Sequence, residues 1–194
     1  DIYITGGKTH DSEIRLARFM VQNLDVGNTF IDVGAHYGYF SLLASKLVGA
    51  DGQIHAFEAA TTSFEILRLN LMGKVGLFPY NLAISDSQGF LTFYEFPNLY
   101  SEYNTIDIGQ FQDEPWFQQA KPRAVEISTV KLDDFFAEHE VKPDFIKIDV
   151  EGAEAQVIEG MKVYLSQHSP IVFMEYLSGD RGNASHQIAV QTMK

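Results

Sequence analysis

The sequence predicts an α/β protein, built on a mostly parallel sheet with helices on both faces. Three observations carry that expectation. Short apolar runs of strand length alternate with stretches whose apolar residues recur every three or four positions. Residues 28–44, N-T-F-I-D-V-G-A-H-Y-G-Y-F-S-L-L-A, read as a buried strand, a tight glycine turn and the start of a helix. Residues 142–154, K-P-D-F-I-K-I-D-V-E-G-A-E, read as a second buried strand, ending in carboxylates and a glycine before another helix.

The elements follow in order. Residues 1–27 form an N-terminal helical segment, with a helix over 12–24, Asp11 or Ser12 as its cap, and Ile14, Ala17 and Val21 facing inward. Phe30, Ile31 and Val33 make a strand at 29–33, and Gly34 and Gly38 make the turn. Phe40, Leu43, Ala44 and Leu47 then share one face of a helix over 38–48. A strand at 53–58 ends in Glu58. Thr62-Ser63-Phe64-Glu65 has the spacing of a capping box, opening a helix that ends near Gly73. Residues 76–84 supply a third strand. Leu91–Phe96 adds an extra strand, and so does Ala124–Val130, where Val125, Ile127 and Thr129 alternate with Glu126 and Ser128. Leu132–His139 is a short helix. A strand at 144–149, a helix at 153–165 and a strand at 170–176 complete the alternation. There is no internal repeat and no low-complexity tract, so residues 1–194 read as a single domain.

Residues 97–123 break the rhythm. They carry Tyr100, Tyr103, Phe111, Trp116 and Phe117 among acids, glutamines and prolines. Long irregular segments in compact domains are often lids or binding loops. The segment is either an aromatic wall over a substrate or a surface excursion anchored by its rings.

The glycine turn speaks to ligand type. A strand, glycine turn and helix N-terminus form the ligand-gripping edge of an open α/β sheet. A dinucleotide fingerprint needs three glycines, so that amides approach a pyrophosphate. Here His36 and Tyr39 stand where the second and third would be. Asp32 precedes the turn by two residues, and Glu58 ends the next strand, where an acid can accept hydrogen bonds from ribose hydroxyls. Two acids and two glycines suit S-adenosylmethionine, which carries a ribose, an ammonium and a sulfonium but no phosphate. A nicotinamide-dependent oxidoreductase and a catalytically silent binding module are the alternatives.

The chain resembles the FkbM-type family of S-adenosylmethionine-dependent methyltransferases. The matching pieces are F-I-D-V-G-A-H-Y-G-Y-F-S at 30–41, A-F-E at 56–58, N-L-A-I-S-D at 81–86, V-K-L-D-D-F at 130–135, I-K-I-D-V-E-G-A-E at 146–154 and I-V-F-M-E at 171–175. They stand in family order. The family often has Asn where this chain has His36. The resemblance implies a Rossmann-like class I methyltransferase fold and methyl transfer to the oxygen of a small-molecule or sugar-like acceptor. The strand-end pattern together with the resemblance places cofactor contacts at Asp32, Gly34, His36, Gly38, Phe40, Glu58, Ala59, Ala83 and Asp149. Class I members end with two further strands, the last antiparallel. Only 19 residues follow Glu175; a helix and two strands of about 5–6 residues each would hardly fit, so the C-terminal strands are expected to be incomplete.

Composition bounds the rest. A chain of 194 residues with 45% hydrophobic and 21% charged residues has the size and makeup of one globular domain. No apolar run reaches the roughly 20 residues that cross a bilayer. The first ten residues lack the basic stretch and apolar core of a signal peptide, and the chain begins at Asp1 rather than Met, as a piece of a longer protein would. A cytoplasmic location is the expectation. Cysteine is absent, which removes thiolate catalysis, disulfides and cysteine-bound zinc. The net charge of −12 argues against nucleic acid and anionic membrane as partners.

A sulfonium is already a strong methyl donor, so transfer needs mainly positioning. A hydroxyl acceptor must still lose a proton. Asp149, Glu151 and Glu175 stand at strand ends and are the candidate bases. Asp149 and Glu151 are two apart, which on a straight strand is one face. The same carboxylates could hold Mg²⁺ or Mn²⁺. Glu151 and Glu154 could also simply favour a helix N-terminus. Trp116 and Tyr103 are expected to border the acceptor.

Overall fold

The computed structural model describes residues 11–174 and 184–193. Its main sheet has five strands: β1 (Thr29–Val33), β2 (Gln53–Phe57), β3 (Leu77–Tyr80), β7 (Phe145–Ile148) and β8 (Ile171–Met174). All are parallel, in the order β3-β2-β1-β7-β8. The chain thus winds outward from β1 in one direction and returns to the other side of β1 with β7. That reversal opens a crevice at the carboxyl ends of β1 and β7. No sixth or seventh strand of this sheet occurs among the described residues.

Alternation along β1 shows why both faces are covered. Phe30 packs with Leu16, Met20, Phe40, Ala44, Leu67 and Phe145 on one side. Ile31 and Val33 pack with Leu132, Phe135, Ile148, Val157 and Met161 on the other. The first layer comes from helices α1 (Asp11–Asn23), α2 (Tyr39–Val48) and α3 (Thr61–Leu71). The second comes from α5 (Leu132–Glu138), α6 (Glu154–Glu159), α7 (Lys162–Gln167) and α8 (Ala184–Thr192).

Several boundaries differ from the sequence reading, each for a local reason. The inward face of α1 is Leu16 and Met20, with Ala17 half-buried, while Val21 is 59% exposed. Two apolar stripes compete on this helix, and the one continued by buried Leu24 wins. The capping box does not form. Ala60 precedes α3 without a side-chain cap, and the Thr61 and Ala60 amides donate instead to the buried carboxylates of Glu95 (2.7 Å) and Glu58 (2.9 Å). Glu65 pairs with Arg68. The expected strand over 76–84 splits at Asn81, whose Nδ2 donates to the carbonyls of Glu58 and Ala59 and turns the chain out of the main sheet. Its second half, β4 (Ala83–Ile84), joins a separate sheet of order β4-β6-β5, with β5 (Gly89–Glu95) antiparallel to β6 (Arg123–Val130). The expected helix over 153–165 breaks at Met161, whose φ of −128° is not helical, just after Gly160, where a Cβ would collide with the Ser85 carbonyl. The Asp133 carboxylate then takes the amides of Val163 and Tyr164 and restarts the helix as α7. Helix α8 had no counterpart in the sequence reading. Glu175 and the turn expected at 178–183 lie outside the described residues.

The irregular segment folds into 3-10 turns at Asn98–Tyr103 and Ile108–Phe111 and the short helix α4 (Phe117–Ala120). It has a small core of its own: Phe96, Phe111 and Ala120 are buried, and Trp116 stacks between Tyr100 (5.3 Å between centroids) and Tyr103 (4.4 Å). No helix among the described residues is long and apolar enough to cross a membrane.

Candidate active site

The carboxyl ends of β1, β2 and β7 open into a cavity of about 1090 Å³. Gly34, His36, Phe40, Glu58, Ala59, Ala83, Asp149 and Glu151 all line it. The sheet order brings these residues together from four separate stretches of chain. The irregular segment closes one wall with Ser101, Glu102, Tyr103 and Asn104. Trp116 does not line the cavity; it supports Tyr103 from behind, within the aromatic cluster. The two readings of the segment are therefore divided between its residues: Tyr103 is a wall, Trp116 an anchor.

The turn after β1 requires both glycines. Gly34 has φ +75° and a Cβ there would strike the Asp149 carbonyl. Gly38 has φ +87° and abuts Leu67. His36 also lies in the left-handed region, at φ 52°. Asn and His are among the residues best able to adopt it, which accounts for a polar residue at this position. Its amide donates to Glu58 Oε2 at 2.7 Å.

Asp32 does not line the cavity. It is fully buried and spent on the scaffold: Ser41 Oγ donates to Oδ2 at 2.6 Å and Lys147 Nζ to Oδ1 at 3.0 Å. Lys147 also donates to the Gly34 carbonyl at 3.0 Å and lies 3.5 Å from Asp149 Oδ2. Burial alone would lower the lysine's pKa, but Asp32 and Asp149 outweigh it and hold the ammonium above its ordinary value. The sequence reading named Asp32 and Asp149 and missed the lysine between them. A charged residue inside the strand Phe145–Ile148 was the available signal, because central parallel strands are buried on both faces and a buried lysine needs partners.

Glu58, unlike Asp32, faces the cavity. Its two oxygens take the amides of His36 and Ala60, and the side chain lines the cavity. Burial pushes its pKa up to about 7, against the pull of the Ala60 and His36 amides and of Lys147. The folded protein therefore binds this proton more tightly than the unfolded chain, so Glu58 subtracts stability as pH rises from about 4.5 to about 7. In Glu58→Gln that part of the slope is absent. Buried His55, held down at about 4, contributes a slope of opposite sign, so the signed change in melting temperature from pH 5 to pH 8 is the readout: it should be more positive in the variant than in the parent, and an identical change would refute the raised pKa.

Asp149 and Glu151 both line the cavity, though not through strand geometry. β7 stops at Ile148, and Glu151 has φ 48° in a turn with Gly152. Thr105 Oγ1 donates to the Glu151 carbonyl at 2.8 Å, joining this turn to the irregular segment. Glu154 is buried outside the cavity and accepts the Gly152 amide, a helix-start role. Among the described residues no group of three or more His, Cys, Asp or Glu side chains could hold a metal ion. Asp149 moreover faces an ammonium, which would repel a cation. The expectation of Mg²⁺ or Mn²⁺ is therefore not supported.

Comparison with known proteins gives a consistent result. Residues 32–194 match the sequence profile of the methyltransferase FkbM domain. The chain is 27% identical over 164 residues to the methyltransferase sdnD of Sordaria araneosa, covering 73% of this chain and 63% of that protein. It thus spans less than two thirds of that relative's length. Methyltransferase FkbM from Methylobacillus flagellatus KT superposes with a TM-score of 0.52 at 14% identity, over 82% of this chain and 33% of that one. Fibrillarin from Aeropyrum pernix, solved with bound S-adenosyl-L-methionine, gives 0.52 at 11% identity, over 93% and 63%. At such identities the two structures establish the class I fold.

Proposed function

This chain belongs to the FkbM methyltransferase family, and from that premise we propose that its cavity binds S-adenosylmethionine and directs the methyl group to a hydroxyl oxygen of a small-molecule or saccharide-like acceptor. The observation that carries the reading is the convergence on one cavity of the two-glycine turn, the Glu58 carboxylate and the pair Asp149 and Glu151. Each Glu58 oxygen already takes one amide. Its remaining lone pairs accept hydrogen bonds from a ribose diol. Asp32 serves the turn indirectly, through Lys147 and the Gly34 carbonyl, rather than by touching the ligand.

The bound cofactor supplies a sulfonium-activated methyl group. The protein places the acceptor oxygen in line with it and receives the hydroxyl proton as the new oxygen–carbon bond forms. Asp149 at the end of β7 is first choice for that proton, with Glu151 second. Glu175, which follows Met174 in sequence and lies outside the described residues, is a third candidate carboxylate.

Titration calorimetry with S-adenosylmethionine, using NAD as control, tests the cofactor. Saturable binding of the first alone supports the reading; binding of NAD alone overturns it. At pH 8, where the Glu58 carboxyl is ionised, Glu58→Ala should weaken S-adenosylmethionine binding by about tenfold or more, the loss of a charged hydrogen-bond partner. Methyl-tritium transfer to a panel of methyl glycosides and simple alcohols tests the acceptor. Cofactor binding without transfer to any nucleophile would show a silent binding module.

A further inference from the structure

The irregular segment touches the cofactor turn as well as the acceptor wall. Ser101, buried in the 3-10 turn Asn98–Tyr103, has its Oγ 2.9 Å from His36 Nε2 and 2.9 Å from Tyr37 Oη. The two rings stack on each other at 3.7 Å between centroids, so one hydroxyl fastens both. His36 is the residue held in the left-handed conformation, and its amide is what Glu58 grips from the other side. Ser101 therefore ties the Tyr37 hydroxyl to the His36 ring, and the His36 backbone amide ties the same residue to Glu58.

Resting on the cofactor reading above, we propose that Ser101 is a positioning residue for the cofactor: it holds His36 and Tyr37 so that the turn and Glu58 keep the spacing the ligand needs. The reason is geometric. A left-handed non-glycine residue is costly in isolation and persists where its surroundings over-determine it. Here the peptide of His36 is fixed by Glu58 and its ring by Ser101. Releasing the ring frees the peptide to relax, and Glu58 then loses one of the two amides that orient it. The segment enters the site twice, since Thr105 fastens the Glu151 turn only four residues later. Ser101 serves the cofactor side and Thr105 the carboxylate side.

S-adenosylhomocysteine is the probe, because it binds without turning over. Ser101→Ala and Tyr37→Phe should each weaken its binding by about three- to tenfold, the range of one or two neutral hydrogen bonds. The double variant should be no weaker than the worse single variant, because both changes cut the same tie. Melting temperature is measured alongside. Asp107→Ala, which cuts the Asp107–Gly109 cap of the second 3-10 turn away from the cavity, should leave S-adenosylhomocysteine affinity within about twofold. Tyr37→Phe removes one hydroxyl only and keeps the test valid if Ser101→Ala folds poorly. Wild-type affinity in Tyr37→Phe and Ser101→Ala overturns the proposal, as does equal weakening by Asp107→Ala, which would mean general loosening of the segment. A parent protein that fails to bind the probe at all would instead overturn the cofactor reading.

Discussion

Lys147→Met should destabilise the protein by about 3–5 kcal/mol, the usual result of removing one member of a buried ion pair. The ammonium contacts three oxygens: Asp32 Oδ1, the Gly34 carbonyl and, at 3.5 Å, Asp149 Oδ2. Methionine fills similar volume, so little of the loss comes from packing against Phe40, over whose ring the ammonium sits at 5.5 Å. What remains is a fully buried Asp32 carboxylate that keeps the hydrogen bond from Ser41 Oγ but has lost its counter-charge. The added substitution Asp32→Asn should recover part of the loss, because the orphaned charge is the main cost. Urea denaturation of the parent, Lys147→Met and the double variant measures this. A loss under about 1 kcal/mol in the single variant would mean the carboxylate finds water or protonates at little cost. Cofactor affinity should fall together with stability, since the Gly34 carbonyl loses its tether at the point where the turn begins.

The same lysine marks how far the sequence could be read. The alternation of strands and helices, the parallel sheet and the strand-end position of the site were legible because each rests on local pattern. Phe30, Ile31 and Val33 show a strand buried on both sides, and Gly34 and Gly38 show a turn that only glycine permits. The six family motifs point to the candidate cofactor residues, and most of these line one cavity in the structure. Asp32 and Gly38 are the exceptions, and both shape the turn from behind. What could not be read depended on pairing at a distance. Glu95 caps α3 from 34 residues away, which displaced the expected capping box. Ser101 reaches His36 across 65 positions, and Thr105 reaches Glu151 across 46. The Ser85 backbone leaves no room for a side chain at Gly160, and the helix breaks just after it at Met161 (φ −128°), which no period in the sequence announces. The inner face of α1 was misjudged because two apolar stripes fit the helical period and only the sheet decides between them.

Asp149→Asn should lower methyl transfer by about 10²–10⁴-fold, the usual effect of losing a general base. The substitution keeps shape and hydrogen-bonding capacity, so the fold and most of the cofactor affinity should survive. The case for Asp149 over Glu151 is one of placement. Asp149 directly follows β7, beside the Gly34 turn, and its amide is held by the Val33 carbonyl at 3.1 Å. Its backbone is thus part of the sheet edge, and Lys147 aims its carboxylate. Glu151 stands two residues on, in a turn held by Thr105, and lies near Tyr103, whose phenol pKa is raised mainly by burial and also by surrounding carboxylates including Glu151. That position suits a residue that orients the acceptor against the tyrosine wall. Glu151→Gln should therefore raise the acceptor KM more than it lowers kcat, whereas Asp149→Asn should lower kcat with little change in acceptor KM. Tritium transfer to an acceptor methylated by the parent, followed over a range of acceptor concentrations, separates the two. If the split is reversed, Glu151 takes the proton and Asp149 supports Lys147. If neither variant departs from the parent, the carboxylate mechanism is wrong and in-line positioning alone carries the transfer.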